Sequence, residues 1–191
     1  AVDTAVVGQL GLAVPIGAVG IGAIIITAIY WLFGFLRMGT TGLTAQAIGS
    51  GDKPETSALL VRGVIIGFTA GLILIIAQVP IFLGALQLSP ASMEVESLAQ
   101  KYLQIRVYSA PAAIALFGIT GWLIAKEKTR AVLLLQLVLN GINIALDLVF
   151  VLKLGWGVEG VAIATLIAEW SGLIFGLWLA REGFNNGYWK N

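Results

Sequence analysis

In the stretch VLNGINIALDLVF, residues 138 to 150, Asn140, Asn143 and Asp147 interrupt an otherwise apolar run. A carboxylate can take up and release a proton, or with amide oxygens it can ligate a hard monovalent cation such as sodium. Burial raises a carboxylate's pKa and a nearby cation lowers it, so proton and cation compete for one such site. The chain holds no cysteine and no histidine. That removes disulfides, thiol nucleophiles, His-ligated haem and zinc sites built on either residue.

On a helix, Gln136, Asn140, Asn143 and Asp147 fall within an arc of about 60° and extend over roughly 16 Å. A second polar line runs through Tyr102, Arg106, Ser109 and Thr120, with Ala113 completing it, and a third pairs Thr165 with Glu169 one turn apart. Two polar faces in apolar helices imply a shared cavity. Asp3 adds a further acid. A charged Asp at mid-membrane costs about 2.5–3.5 kcal/mol on insertion scales, which makes Asp147 a functional candidate. Interhelical hydrogen bonding accounts for Gln136 and Asn140 as well as a binding role does. Glu169 fits a structural ion pair as well as a cavity role. Glu159 opens a helix, where a carboxylate complements the dipole, and Arg62 and Arg181 suit snorkelling to the interface, with Arg106 open to either reading.

These residues need apolar elements to hold them, and the composition supplies those. The 191 residues are 59% hydrophobic and 11% charged, with a mean hydropathy of +0.96, far from the roughly 25% charged of a soluble domain. Uncharged runs over 4–36, 63–93 and 107–125 each reach the roughly 18 residues of a transmembrane helix. Two further segments carry one internal acid each. The chain thus reads as one all-α membrane lobe, residues 1–191, with spans at about 12–38, 56–86, 101–125, 131–152 and 158–181. Residues 1–10 read as the remnant of a preceding helix. The start AVDTAVV has neither an initiator Met nor a signal peptide, so the expectation is a fragment with at least one span before it and more chain after residue 191.

Between the spans, 39–55 is expected to be a loop, and 87–100, opened by Ser89 and Pro90, a short amphipathic segment outside the membrane core. The loop KEKTR, the turn GWGV and the interfacial tail GFNNGYWKN complete the chain. Arg37, Lys53, Arg62, Lys126, Lys128, Arg130, Arg181 and Lys190 fall on one side against Lys101, Arg106 and Lys153 on the other, which makes the first side cytoplasmic. Gly63, Gly67 and Gly71, Gly172 and Gly176, and Gly17, Gly20 and Gly22 are assigned to close helix packing. Pro15, Pro80 and Pro111 lie inside spans, and a kink is expected at Pro111. The net charge of +1 and the lack of a basic cluster interleaved with aromatics argue against nucleic acid as a partner.

The stretches VDTAVVGQL (2–10), FLRMGTTGLTAQAIGSGD (35–52), YLQIRVYSAP (102–111), NIALDLVF (143–150) and GVEGVAIATLIAEW (157–170) resemble the multidrug and toxic compound extrusion (MATE) family, most closely its DinF-like branch. The resemblance implies a two-lobe, twelve-helix transporter, of which this chain is the first lobe without most of its first helix. It also implies that Asp3 is the first-helix acid of an ion-coupling site, with Asn143 and Asp147 its fifth-helix pair. Tyr102 matches the family's fourth-helix tyrosine and Thr165 its sixth-helix threonine. Thr120 stands where archaeal members carry asparagine, so that part of the network differs. Glu169 replaces an amide common in other branches.

The function implied is a secondary antiporter in the bacterial inner membrane that exports organic, often cationic or amphipathic compounds as protons or sodium ions enter. No cofactor is expected beyond that ion, for which Asp147, Asn143 and Thr165 are candidate sodium ligands. The partners implied are a small organic substrate, the bilayer and the second lobe of the same polypeptide. A lipid-linked flippase of the same superfamily would call for more basic charge in the cavity. An intramembrane aspartyl protease would need two facing acids, typically in YD and GxGD contexts, where this sequence offers VDT and LDL. A scaffold would have no need of polar stripes.

Overall fold

The computed structural model describes residues 13–87, 93–155 and 157–185. They form nine α-helices, α1 (Ala13–Trp31), α2 (Gly34–Gly49), α3 (Lys53–Ile76), α4 (Gln78–Gln87), α5 (Met93–Arg106), α6 (Ala110–Ala125), α7 (Thr129–Asp147), α8 (Gly157–Leu179) and α9 (Glu182–Asn185). A 3-10 turn, Val107–Ser109, joins α5 to α6, and a π-helical segment, Leu148–Lys153, extends α7. No strand occurs among the described residues. Five helical stretches are long and apolar enough to cross a membrane: Ala18–Gly49, Lys53–Ile76, Ser97–Ala125, Thr129–Lys153 and Gly157–Leu179. The expected remnant at 1–10 lies outside the described residues.

The expected loop at 39–55 is instead helical as far as Gly49, and only 50–52 turn the chain. Gly, Thr and Ser are weak helix formers, but packing overrides propensity when a face is buried. Leu36, Thr40, Thr44 and Ala47 share one face of α2 and are all buried. That face meets α6, where the Thr41 hydroxyl lies 3.1 Å from the Gly121 carbonyl and 2.8 Å from that of Arg37. The turn then depends on Gly51, whose φ of 73° suits glycine. Asp52 caps α3 by accepting from the Glu55 N–H at 3.1 Å, with Pro54 in the first turn.

Prolines punctuate the other long spans. The second expected span breaks at Ala77 into α3 and α4, because Pro80 has no N–H to offer the carbonyl of Ile76. Pro111 acts through its missing N–H in the same way, and the irregularity expected there is the 3-10 turn just before α6. One carbonyl of that turn, Tyr108, accepts from the Trp170 indole N–H of α8 at 2.9 Å. The segment expected to lie apart at 87–100 is helical from Met93 and continuous with α5.

Helix α6 is the axis of the bundle, with nearly every residue from Ala110 to Leu123 buried. Small residues make this possible, since lipid supplies no hydrophobic drive and close backbone packing must hold the helices. A Cβ on Gly67 would sit 2.7 Å from the Ala115 backbone, and one on Gly71 would strike Pro111. At the far end, buried Trp122 donates its indole N–H to the Thr56 carbonyl at 2.8 Å. One apolar core, including Val19, Ile26, Leu103 and Ile114, joins α1, α5 and α6. A second, including Leu60, Ile119, Trp122, Leu135 and Leu173, joins α3, α6, α7 and α8.

Candidate functional site

Helix α7 lies at the edge of the bundle and buries only Leu135 and Asp147 fully. The polar stripe expected along it therefore divides. Gln136 and Asn140 are exposed, whereas Asn143 is half-buried and Asp147 has no exposed surface. Helix α8 packs along α7 on the face that carries Leu135 and Leu139, the latter against Gly172, and on that side Asn143 and Asp147 are the polar residues most covered. Asn143 spans the α7–α8 gap, its amide nitrogen donating to the Thr165 hydroxyl at 3.1 Å. Thr165 Oγ1 lies 3.2 Å from the Val161 carbonyl of its own helix and is itself buried.

Asp147 occupies the last α-helical position before the π segment. Widening from α to π geometry shifts backbone pairing by one residue, as in the Leu154 N–H that bonds back to Val149, and such segments recur at functional sites. Asn143 and Asp147 are four apart and share one face. With the Asn143 nitrogen directed at Thr165, its carbonyl oxygen is the group that can accept from a protonated carboxyl or ligate a cation. A carboxylate, an amide oxygen and a hydroxyl are thus brought together by two helices in an apolar setting.

A second polar cluster joins α1, α5 and α8. Arg106, buried in the span, donates through Nη1 to the Tyr102 hydroxyl and through Nη2 to Glu169 Oε1 at 3.2 Å. The Arg106 carbonyl receives the Ser109 hydroxyl at 2.6 Å, and Tyr30 Oη lies 3.2 Å from that carbonyl and 3.1 Å from Ser109 Oγ. Glycine at 22 admits this arrangement, since a Cβ there would strike the Tyr102 ring. Glu169 therefore makes the ion pair that its sequence left open. The Tyr102 hydroxyl, on the polar line of α5, accepts from Arg106.

Glu169 also faces a cavity of about 230 Å³ whose lining includes Tyr30, Arg37, Thr120, Gln136 and Phe117. Thr120 and Glu169 meet there from α6 and α8, and Gln136 reaches it from α7. Asp3 lies outside the described residues. Tyr30 and Arg37 are members of this site that the sequence reading did not single out. Tyr30 carried a signal in its type, since a phenol in an apolar helix needs a hydrogen-bond partner. Arg37 was read only as a cation at the end of the first expected span, 12–38. Among the described residues no group of three or more acids stands together as a metal cluster.

The sequence pattern of the MatE family matches residues 1–149. DNA damage-inducible protein F from Escherichia coli is 39% identical over 181 residues, which cover 95% of this chain and 39% of that protein. The fold is similar to that of a MOP superfamily transporter from Pyrococcus furiosus, for which reverse polarity of the binding pocket suggests a different function. The TM-score is 0.85 at 26% identity, over 93% of this chain and 39% of that one. It is also similar to a multidrug resistance MATE family transporter in an inward-facing conformation, with TM-score 0.83, 26% identity, and 93% and 40% of the two chains covered. The chain spans about two fifths of the length of these relatives. Its helices match one lobe of such transporters, and the chain belongs to the MatE family.

Proposed function

We propose that this lobe belongs to a secondary antiporter that exports organic, often cationic or amphipathic compounds in exchange for protons or sodium ions across the bacterial inner membrane. The observation that carries the reading is Asp147, fully buried in a membrane span and four residues from an Asn143 bonded to Thr165 on the next helix. A carboxylate in that position is costly unless its charge is handled by a proton or a cation. Asp147 is the main ion-binding group, and Asn143 and Thr165 orient it or lend oxygen ligands. Asp3 links ion occupancy to the first helix, and Tyr102, Thr120 and Glu169 shape the adjoining polar wall.

Ion binding drives export only if it favours one conformation over another. The protein acts as a carrier, with the ion and the organic compound as cargo and no bond made or broken. The description of a similar structure as a multidrug resistance transporter supports this class of substrate. The test is dye efflux from proteoliposomes holding the full-length protein, wild type beside Asp147→Asn, under an imposed proton gradient and then a sodium gradient. Efflux driven by one gradient and abolished in the variant is expected. Export by Asp147→Asn at the wild-type rate would sink the assignment.

A further inference from the structure

Helices α7 and α8 run antiparallel, and the start of α7 and the end of α8 line one groove and so share one membrane face. That face holds Lys53, Lys126, Lys128, Arg130 and Arg181, while Lys101 and Lys153 lie toward the other, and the excess marks it as cytoplasmic. Between the two helix ends lies a groove of about 610 Å³. Lys128, Arg130 and Arg181 line it against Glu127 as the one acid, and Ala131, Leu134 and Leu179 form its membrane-ward wall.

The three cations differ in what holds them. Lys128 is 2.7 Å from Glu182, which also lies 3.6 Å from Lys126. Neither Arg130 nor Arg181 has a carboxylate within ion-pair distance among the described residues. The Arg181 guanidinium instead stacks 4.3 Å from the centre of the Trp178 indole and donates to the Trp178 carbonyl at 2.8 Å. Stacking holds it at the depth where tryptophan anchors a helix among lipid headgroups. A topological excess of positive charge explains why cations lie on this face. It does not explain a guanidinium fixed over an indole beside an exposed leucine wall, Leu134 being 49% exposed.

One kind of molecule satisfies both halves of the groove. We propose that it is a binding site for an anionic phospholipid, with the phosphate between Arg130 and Arg181 and an acyl chain along Leu134 and Leu179. Guanidinium groups receive phosphate oxygens through paired N–H donors, and basic pockets between helices on the cytoplasmic side take anionic headgroups.

The test extracts full-length protein from vesicles of equal parts phosphatidylglycerol and phosphatidylcholine and identifies the lipid retained by native mass spectrometry. Wild type is expected to keep phosphatidylglycerol, and Arg130→Gln/Arg181→Gln to keep it about thirtyfold less tightly, the surface-charge contribution of two cations. Lys53→Gln/Arg62→Gln, which removes the same charge elsewhere, is expected to behave as wild type. On unaltered protein, phosphatidylglycerol with brominated acyl chains is expected to quench tryptophan emission more than brominated phosphatidylcholine does. Trp178→Phe should remove that difference. Equal loss in the two double variants, equal quenching by the two lipids, or displacement of the lipid by millimolar inorganic phosphate would each overturn the proposal.

Discussion

Removing either member of the Arg106–Glu169 pair should cost far more than removing both. The side chains are 9% and 18% exposed and their charged atoms lie 3.2 Å apart. At an effective dielectric of about 20, attraction at that separation is worth about 5 kcal/mol, most of it offset by the cost of taking both charges out of water. Glu169→Leu leaves a buried guanidinium without its carboxylate, and Arg106→Met leaves the carboxylate without its cation, so each should destabilise the fold by about 3–5 kcal/mol. Arg106→Met/Glu169→Leu leaves neither charge. It should return to within about 2 kcal/mol of wild type, the residue being the hydrogen bond lost by Tyr102. The assay is unfolding of the full-length protein in mixed micelles by added denaturing detergent, followed by tryptophan emission. A double variant as unstable as the sum of the two singles would show that the groups do not compensate one another and refute the reasoning.

The α3–α6 contact should be the least forgiving of added bulk. Gly67→Val would push side-chain atoms into the backbone at Ala115, at a cost of about 1–3 kcal/mol or more. The same change at Gly84, which has open space around its Cβ position, should be neutral or slightly stabilising, since valine is a better helix former than glycine, and comparing the two unfolding midpoints checks this. At the α9 end, the hydrogen bond from Lys128 holds the Glu182 carboxyl below the usual glutamate value. The charges of Lys128 and Lys126 add to that shift, and partial burial opposes it. A depressed carboxylate stabilises the fold above its unfolded pKa of about 4.3 and loses that contribution as pH falls through the lower folded value. Hydrogen exchange at α9 should therefore be flat from neutral pH to about 5 after correction for intrinsic rates, then rise below it. Glu182→Gln should remove the inflection. The effect should stay under about 1 kcal/mol because the pair is solvent-screened.

Hydropathy located the five spans because membrane helices must satisfy their backbone internally and bury apolar side chains over a fixed thickness. The irregularity near Pro111 was legible for an equally local reason, the missing N–H, whereas the break near Pro80 falls inside what was expected to be one span. Residues 39–49 were not legible. Their Gly and Thr content signals a loop, and only the buried face of α2 against α6 makes them helical. Arg37, inside the expected span 12–38, lines a cavity with Glu169 of another helix, a juxtaposition that local sequence does not encode.

Residue type and spacing by themselves determined that the chain is a helical membrane bundle, that Asn143 and Asp147 share a helix face, and that any ligation there uses oxygen. Tertiary structure alone decided which polar groups meet. Gln136 and Asn140 point along the same arc as Asp147, but Thr165 stands opposite Asn143, which donates to it, while Gln136 lines the cavity shared with Thr120 and Glu169. Arg106, Tyr102 and Glu169 lie on two different spans, and their union rests on how α5 and α8 cross. Helical periodicity fixes the direction of a side chain relative to its own axis. What stands opposite is set by the packing of a second helix, which local spacing does not encode.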